Sequence, residues 1–385
     1  MPISASTQSS ILHRKIEETQ KHENQKPDFL KPHIFFRNHI TGVGDAFLNM
    51  VGHVDSPTEF GLSTKFDTEI DYDRARHIHR KMKKPYFLPR GSIPNILYAA
   101  SQLGTPTSLY ATVGSDPWAE EVMKQFEKDG IKGHYDISHE GHTGLGQIIL
   151  LPDGKSAIGS LKGVANKIII PDRETLEKSR FLVIKGNSFD GKDNIKKINT
   201  LLDHAHNLGV TNILNMQNGL NTSIFMDEIR DAVTKNKIDM LIGTQDDIAK
   251  FFDIKYYDNE KYRSNEEVSE LIIHAAQQMG GYVVYNRGRE GIVIVKAGKV
   301  TKIPAHKVKK AVDVAGTTDG FIGGFLTGLS KGLSEEEAAS IGLSISKDVV
   351  QKTGFRPTEA ALKDARKNLD GLVKLKLEHI QQKVF

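Results

Sequence analysis

The sequence predicts an α/β protein, built on a mainly parallel central sheet flanked by helices. Three observations lead there. From Phe181 onward, short apolar runs (Phe181–Lys185, Asn212–Met216, Met240–Gly243 and Tyr282–Tyr285) alternate with helical stretches near 194–207, 224–235 and 264–279. That alternation is the pattern of βαβ units, whose strands are covered on both faces. Second, Gly144–Leu151 and Ser156–Leu161 flank Pro152-Asp153-Gly154-Lys155, a hairpin signal. Third, 385 residues with 38% hydrophobic content suffice for one large α/β core or two smaller ones. In such sheets ligands meet the carboxyl ends of the strands.

Composition narrows the function classes. The chain has no cysteine, which excludes disulfides, thiol catalysis and cysteine metal sites and fits a reducing compartment. A formal charge of +4 is small for this length and gives no reason to expect a nucleic-acid partner. No apolar run approaches the length that crosses a bilayer, and the first residues lack a signal-peptide core, so the expectation is a cytoplasmic protein without a membrane partner. The pairs His77/His79 and His204/His206 sit two residues apart in helical stretches, where side chains point to different sides, so neither pair forms a metal site.

Taken in order, residues 1–33 are polar and nearly free of aromatics, which predicts a disordered tail ahead of one domain spanning 34–385. His33–Phe36 reads as a short strand, followed by an apolar run from Thr41 to Val54. Residues 55–90 are mixed and polar, with a helix expected from Asp71 to Lys84. Its cluster of Arg74, Arg76, His77, His79, Arg80, Lys81, Lys83 and Lys84 reads as a solvated face, because no aromatics interleave it. Pro89-Arg90-Gly91-Ser92-Ile93-Pro94-Asn95 then opens a helix to Leu103, with Pro94 tolerated in the first turn. Ser108–Gly114 is the next strand, leading through Ser115-Asp116-Pro117 into a helix to Lys128, and Ala338–Val350 is a small-residue helix.

The stretch Val312-Asp313-Val314-Ala315-Gly316-Thr317-Thr318-Asp319-Gly320 carries the chemistry. A basic, strand-like segment, Ala305–Ala311, precedes it, and a small-residue helix ending near Gly328 follows. Gly316 to Asp319 therefore lie at a helix N-terminus, where unpaired amides form an anion site. Asp319 is either a cap for those amides or a proton acceptor or orienting group beside a bound phosphate. The residues alone leave both readings open.

These segments, in this order, resemble the motifs of the ribokinase-like (PfkB) carbohydrate and nucleoside kinases, in particular the adenosine kinase-like branch, over about residues 34–360. The resemblance implies a ribokinase-like fold with a small β-rich lid, its elements within about 52–90 and 105–165. Asp313, Gly316 and Asp319 match the family's Asp-Thr-x-Gly-Ala-Gly-Asp, which implies that Asp319 is the base and that the amides of 316–319 hold the transferred group. Thr317 and Thr318 stand where the family has Ala and Gly. Gly42–Asn49 resembles the family's Gly-x-Gly/Ala-Asn-x-x-x-Asp with its polar positions exchanged, Asp45 at the Asn place and Asn49 at the Asp place that binds sugar hydroxyls. Gly91 and Asn95 match Gly-Gly-x-x-x-Asn, a substrate-contacting turn. Arg90 replaces its first glycine and narrows the pocket, welcomes an anionic group, or turns to solvent with the loop merely shifted. Thr244 and Asp247 correspond to Asn-x-x-Glu, which implies outer-shell contact with magnesium through water. Asn286, Gly288 and Gly291 align with Thr-x-Gly-x-x-Gly, a nucleotide-phosphate loop, and Asp313 joins them in cofactor binding. The helix Ala338–Val350 resembles the one that flanks the nucleotide base in this family, and Thr353-Gly354-Phe355-Arg356-Pro357 resembles the closing segment of its bacterial adenosine kinase-like members.

The implied activity is phosphoryl transfer from ATP, with Mg2+, to a hydroxymethyl group of an adenosine-like nucleoside, by a monomer or homodimer. Two alternatives remain. One is a sugar kinase of the same family. The other is a protein of the same fold that binds nucleotide or a partner without efficient catalysis, motivated by the departures at Thr317/Thr318, Asn49, Arg90 and Thr244/Asp247.

Overall fold

The computed structural model describes residues 37–54, 57–63, 68–151, 156–216, 223–235, 237–258, 261–352 and 354–384. The expected tail, the strand expected at 33–36, the turn at 152–155 and Thr353 of the closing segment lie outside the described residues. In chain order the strands are β1 His39–Val43, β2 Phe47–His53, β3 Thr68–Glu69, β4 Lys83–Arg90, β5 Thr107–Gly114, β6 Lys132–Ser138, β7 Gly144–Leu150, β8 Ser156–Leu161, β9 Ser179–Lys185, β10 Thr211–Asn215, β11 Met240–Thr244, β12 Tyr257–Asp258, β13 Lys261–Tyr262, β14 Tyr282–Asn286, β15 Ile292–Lys296 and β16 Lys299–Ile303. The α-helices are α1 Tyr72–Lys81, α2 Ser92–Gln102, α3 Pro117–Lys128, α4 Arg173–Lys178, α5 Lys192–Asn207, α6 Met226–Thr234, α7 Gln245–Phe251, α8 Asn265–Met279, α9 Thr317–Ser330, α10 Glu335–Val349 and α11 Glu359–Val384.

A nine-stranded sheet runs β16-β15-β14-β11-β10-β9-β1-β5-β6. Its members from β14 to β6 pair in parallel, and β15 and β16 add antiparallel strands at one edge. Successive residues of its strands feed two cores. Val183, Ile213, Ile242 and Val284 face one side, packed with residues of α2, α9 and α10. Leu182, Ile184, Leu214, Leu241 and Val283 face the other, with α5, α6 and α8. Burial on both faces is why these strands read as unbroken apolar runs. The described helices include none long and apolar enough to cross a membrane.

A second sheet, β3-β8-β7-β2-β4, is smaller and mixed. It gathers residues 47–53, 68–69, 83–90, 144–150 and 156–161, while 107–114 and 132–138 pair in the large sheet, so of the 105–165 window only the last part joins the small sheet. The apolar run 41–54 divides between the two sheets, as β1 and β2 separated by Gly44-Asp45-Ala46. The helix expected over 71–84 ends at Lys81. Asp71 caps its start, and Lys83 and Lys84 enter β4, Lys84 with φ 47°. Ala305–Ala311 is not a strand. The ladder ends at Ile303, and the basic stretch that follows is an exposed connection into α9.

Helix α9 is the central helix, wedged between α2 and α10. A Cβ added at Gly323 would lie 2.5 Å from the Ile96 carbonyl oxygen, and one at Gly324 2.8 Å from the Gly342 Cα. The small residues thus permit backbone approach that no side chain allows, and this fixes where the N-terminus of α9 stands relative to α2.

Candidate active site

The parallel strands deliver one polar residue each to the same edge of the large sheet. Lys185 ends β9, Asn215 ends β10, Thr244 ends β11 and Asn286 ends β14, with Lys185 opposite Asn215 and Thr244 opposite Asn286 in the ladder. The N-termini of α2 and α9 meet here.

Asp319 is buried in the first turn of α9. Ser92 Oγ donates to its Oδ1 at 2.5 Å, and Asn95 Nδ2 to its Oδ2 at 2.9 Å. Both donors come from the first turn of α2. The helix is capped by Gly316, which makes no side-chain bond, and the carboxylate is committed to α2, so Asp319 does not cap α9. Burial pushes the Asp319 carboxyl up to about 6; the bonds from Ser92 and Asn95 and the nearby Lys185 pull it down, and Asp45 pushes it further up.

Gly316 adopts φ 71°, and an added Cβ would lie 2.2 Å from the Phe355 Cβ. The position is therefore closed to side chains by both backbone and space. Thr317 and Thr318 follow it and line a cleft of about 630 Å³. The Thr317 Oγ1 is buried without a hydrogen-bond partner among the described residues, and its amide is bonded to the Val314 carbonyl. Among the described residues the amides of Thr318 and Asp319 take no acceptor outside the helix.

Thr244, Asn286 and Gly288 line the same cleft, together with the apolar Leu343 and Val350. Asn286 Oδ1 accepts from the Gly288 amide at 2.8 Å, which shapes the turn, and Gly291 closes that turn into β15 as its carbonyl accepts from the Arg287 amide at 2.8 Å. Asp247 forms a capping box with Thr244: its Oδ2 accepts from the Thr244 amide at 3.0 Å and from Thr244 Oγ1 at 2.7 Å. Asp313 accepts from the amides of Ala315 and Gly354, tying the loop before α9 to the closing segment. Its visible role is to hold that loop. Among the described residues no three acidic or histidine side chains converge on a possible metal point.

The residues expected for the acceptor gather about Lys185 and the start of α2. Asp45 is buried, and its Oδ2 accepts from Lys185 Nζ at 2.7 Å. Gly91, at φ 136°, brings the start of α2 against this turn: an added Cβ there would meet the Asp45 carbonyl oxygen at 2.8 Å. Asn49 is buried, and its Oδ1 has no partner among the described residues. Arg90 ends β4 opposite Phe47, and its side chain lies outside the described residues.

Three residues of this arrangement were not singled out from the sequence. Lys185 and Asn215 carried a usable signal, since each is a polar residue ending an apolar strand, where an α/β sheet presents its ligand edge. Ser92 stood inside the quoted Gly91-to-Asn95 turn, but only the structure shows it reaching Asp319.

Comparison with known proteins identifies the family and the fold. Residues 67–361 match the family described as pfkB family carbohydrate kinase. Adenosine kinase 2 of Arabidopsis thaliana is 24% identical over 336 residues, covering 82% of this chain and 94% of that protein. Among solved structures, a probable sugar kinase protein from Rhizobium etli CFN 42 superposes with a TM-score of 0.71 at 17% identity, covering 88% of this chain and 99% of that one. The adenosine kinase from Sinorhizobium meliloti gives 0.70 at 18% identity, covering 86% and 99%. At such identities the structural likeness establishes the fold, while the family match spans most of the chain. The chain therefore belongs to the pfkB family of carbohydrate kinases and is a kinase of ribokinase-like fold.

Proposed function

We propose that the chain transfers the γ-phosphoryl group of ATP to the hydroxymethyl group of an adenosine-like nucleoside, with Asp319 as the base. The observation that carries this reading is the environment of Asp319. It is an enclosed carboxylate with both oxygens held by side chains, between the cleft lined by Thr317 and Thr318 and the turn that holds Asp45 and Gly91.

In this mechanism the acceptor hydroxyl gives its proton to the Asp319 carboxylate as its oxygen attacks the γ-phosphorus. The bond from that phosphorus to the β–γ bridging oxygen breaks, and ADP leaves. A carboxyl titrating near 6 is ionised at neutral pH yet more basic than an ordinary aspartate, which suits a general base. The Thr318 and Asp319 amides, at the positive end of α9, stabilise the charge on the transferring group. Gly288 and Asn286 shape the turn that faces the donor phosphates across the cleft.

Magnesium fits this site as part of the co-substrate. Asp247 Oδ2 accepts two bonds within its helix cap, so a cation here would arrive with the triphosphate and take the phosphates as its ligands. Thr244 and Asp247 would hold such a cation from its outer shell, through water, and it would supply neutralisation of the phosphate charge. For the acceptor, the buried Asn49 Oδ1, unpartnered among the described residues, calls for a donor, which a ribose hydroxyl supplies, while Gly91 lets the sugar lie against backbone.

The test is ADP release from magnesium-ATP across a panel of nucleosides and sugars, comparing the wild-type chain with Asp319→Ala. Nucleoside-dependent turnover that falls by about 10²–10⁴-fold in the variant supports the reading. Turnover with sugars alone replaces the acceptor class. No turnover above the variant, with nucleotide binding intact by calorimetry, leaves a binding protein of the same fold.

A further inference from the structure

We propose that Asn215 is a positioning residue: acting through Ser92, it fixes the direction of the hydroxyl that holds Asp319, an inference that rests on the reading of Asp319 as the base. Asn215 ends β10 and is wholly enclosed. Its Nδ2 donates to Ser92 Oγ at 2.8 Å, and Ser92 Oγ in turn donates to Asp319 Oδ1 at 2.5 Å. An amide nitrogen can only donate, and an ionised carboxylate can only accept. The Ser92 oxygen between them therefore has one arrangement that satisfies both neighbours: it accepts from Asn215 and sends its own hydrogen to Asp319. Any other rotation would set a hydroxyl lone pair against a carboxylate oxygen 2.5 Å away, in a buried site where that repulsion is poorly screened.

Asn95 acts on Asp319 directly, from α2. Asn215 reaches it from a different layer, the strand edge of the large sheet, and so couples the position of α2 to that edge. The charged groups that face Asp319 are Lys185, at the end of β9, and Asp45, before β2; neither is replaced by the Asn215–Ser92 pair, which supplies a directional bond to the ionised form. A bond of that kind favours the carboxylate against the burial that raises its titration point.

The experiment titrates Asp319 itself, by the carbon NMR signal of its carboxyl group, identified by its loss in Asp319→Asn. Variants are Asn215→Leu, which keeps the volume and removes the donor, Ser92→Ala, and the two combined, each checked by thermal melting. Asn215→Leu is expected to raise the Asp319 midpoint by about half to one pH unit. The same change in the Ser92→Ala background is expected to add nothing, because the path runs through Ser92. In turnover, the acidic limb of the rate profile moves up by the same amount, and kcat falls more than KM changes. An unmoved midpoint in a folded Asn215→Leu protein overturns the proposal, and so does an equal shift with and without Ser92. Should the leucine variant fail to fold, Asn215→Ala is read by the same two criteria. If the midpoints behave as expected while the wild-type chain turns over no acceptor, the coupling stands and the kinase mechanism falls.

Discussion

Lys185 Nζ stands 2.7 Å from Asp45 Oδ2, with both side chains about nine-tenths enclosed. Removing one partner of such a pair strands a buried charge and costs roughly 3–5 kcal/mol, whereas replacing both with apolar groups costs much less. Urea melts of Lys185→Met, Asp45→Leu and the double variant are expected to show this: two large losses that do not add. The pair also acts on Asp319 with opposite signs, Lys185 holding its carboxyl down and Asp45 pushing it up. Lys185→Met should therefore move the acidic limb of the rate profile to higher pH and Asp45→Asn to lower pH. Shifts in the same direction would show that the two charges do not act separately on the base.

The Asp319 carboxyl, raised to about 6 from an ordinary value near 3.8, sets two pH dependences with opposite senses. Turnover needs the ionised form, so kcat/KM should rise with pH through about 6 and level off above. Stability runs the other way. Between pH 3.8 and 6 the folded chain holds a proton that the unfolded chain has released, so stability falls as pH rises across that window, by about 3 kcal/mol at most. Above 6 the penalty is complete. Asp319→Asn removes it, and the variant should be more stable than wild type at pH 7.5 and closer to it at pH 4, while inactive at both. Equal stability differences at the two pH values would place the carboxyl's titration elsewhere.

Gly316→Ala should damage both the fold and donor binding. The left-handed backbone at φ 71° costs a non-glycine residue about 1–2 kcal/mol, before the clash of the new Cβ with Phe355. The expected outcome is a lower melting temperature with weaker nucleotide affinity in calorimetry. A variant that melts normally would mean that the segment after α10 moves aside without cost.

Thr244 and Asp247 have a structural duty that can be separated from the magnesium role proposed for them. Each supplies half of the capping box on α7. Thr244→Ala should cost about 1 kcal/mol of stability through the lost cap. If Asp247 also acts on the cation, Asp247→Asn should raise the magnesium concentration needed for half-maximal turnover, beyond any effect of Thr244→Ala. Equal magnesium curves for the two variants would leave the cap as the whole role.

Much of this arrangement was legible before the structure. The alternation after Phe181 identified the parallel sheet because strands covered on both faces read as unbroken apolar runs. The glycine and small residues around Asp319 identified a helix N-terminus. Two kinds of information were absent. Sequence does not say which strand ends become neighbours, so Lys185 and Asn215 looked like unremarkable ends of separate runs until β9 and β10 were seen side by side. Nor does apolar content mark a change of sheet: residues 41–54 carry one continuous hydrophobic signal, yet the chain leaves the large sheet at Gly44 and enters the small one at Phe47. The segment Ala305–Ala311 misled in the opposite way. Its alternation of Val308 with lysines suits a strand, but the segment leaves the open edge of β16 unpaired and runs on as an irregular connection to α9.

Thr317 stands where the family pattern has a small residue, and its hydroxyl oxygen is buried without a partner among the described residues. An unmet buried hydroxyl costs about 1–3 kcal/mol, a cost that persists in the native chain unless something uses the group. The nearest use is the cleft that Thr317 lines, where a phosphate oxygen would accept the hydrogen that no described residue takes. Thr317→Val keeps the shape and removes the hydroxyl, so it separates the two effects. Without ligand the variant should be more stable by about 1 kcal/mol, since the buried polar atom is gone. With magnesium-ATP it should bind about tenfold more weakly, as one hydrogen bond to a charged group is lost. Calorimetry and melting with and without nucleotide read both terms on one sample. A variant that gains stability and keeps its affinity would assign Thr317 to packing alone.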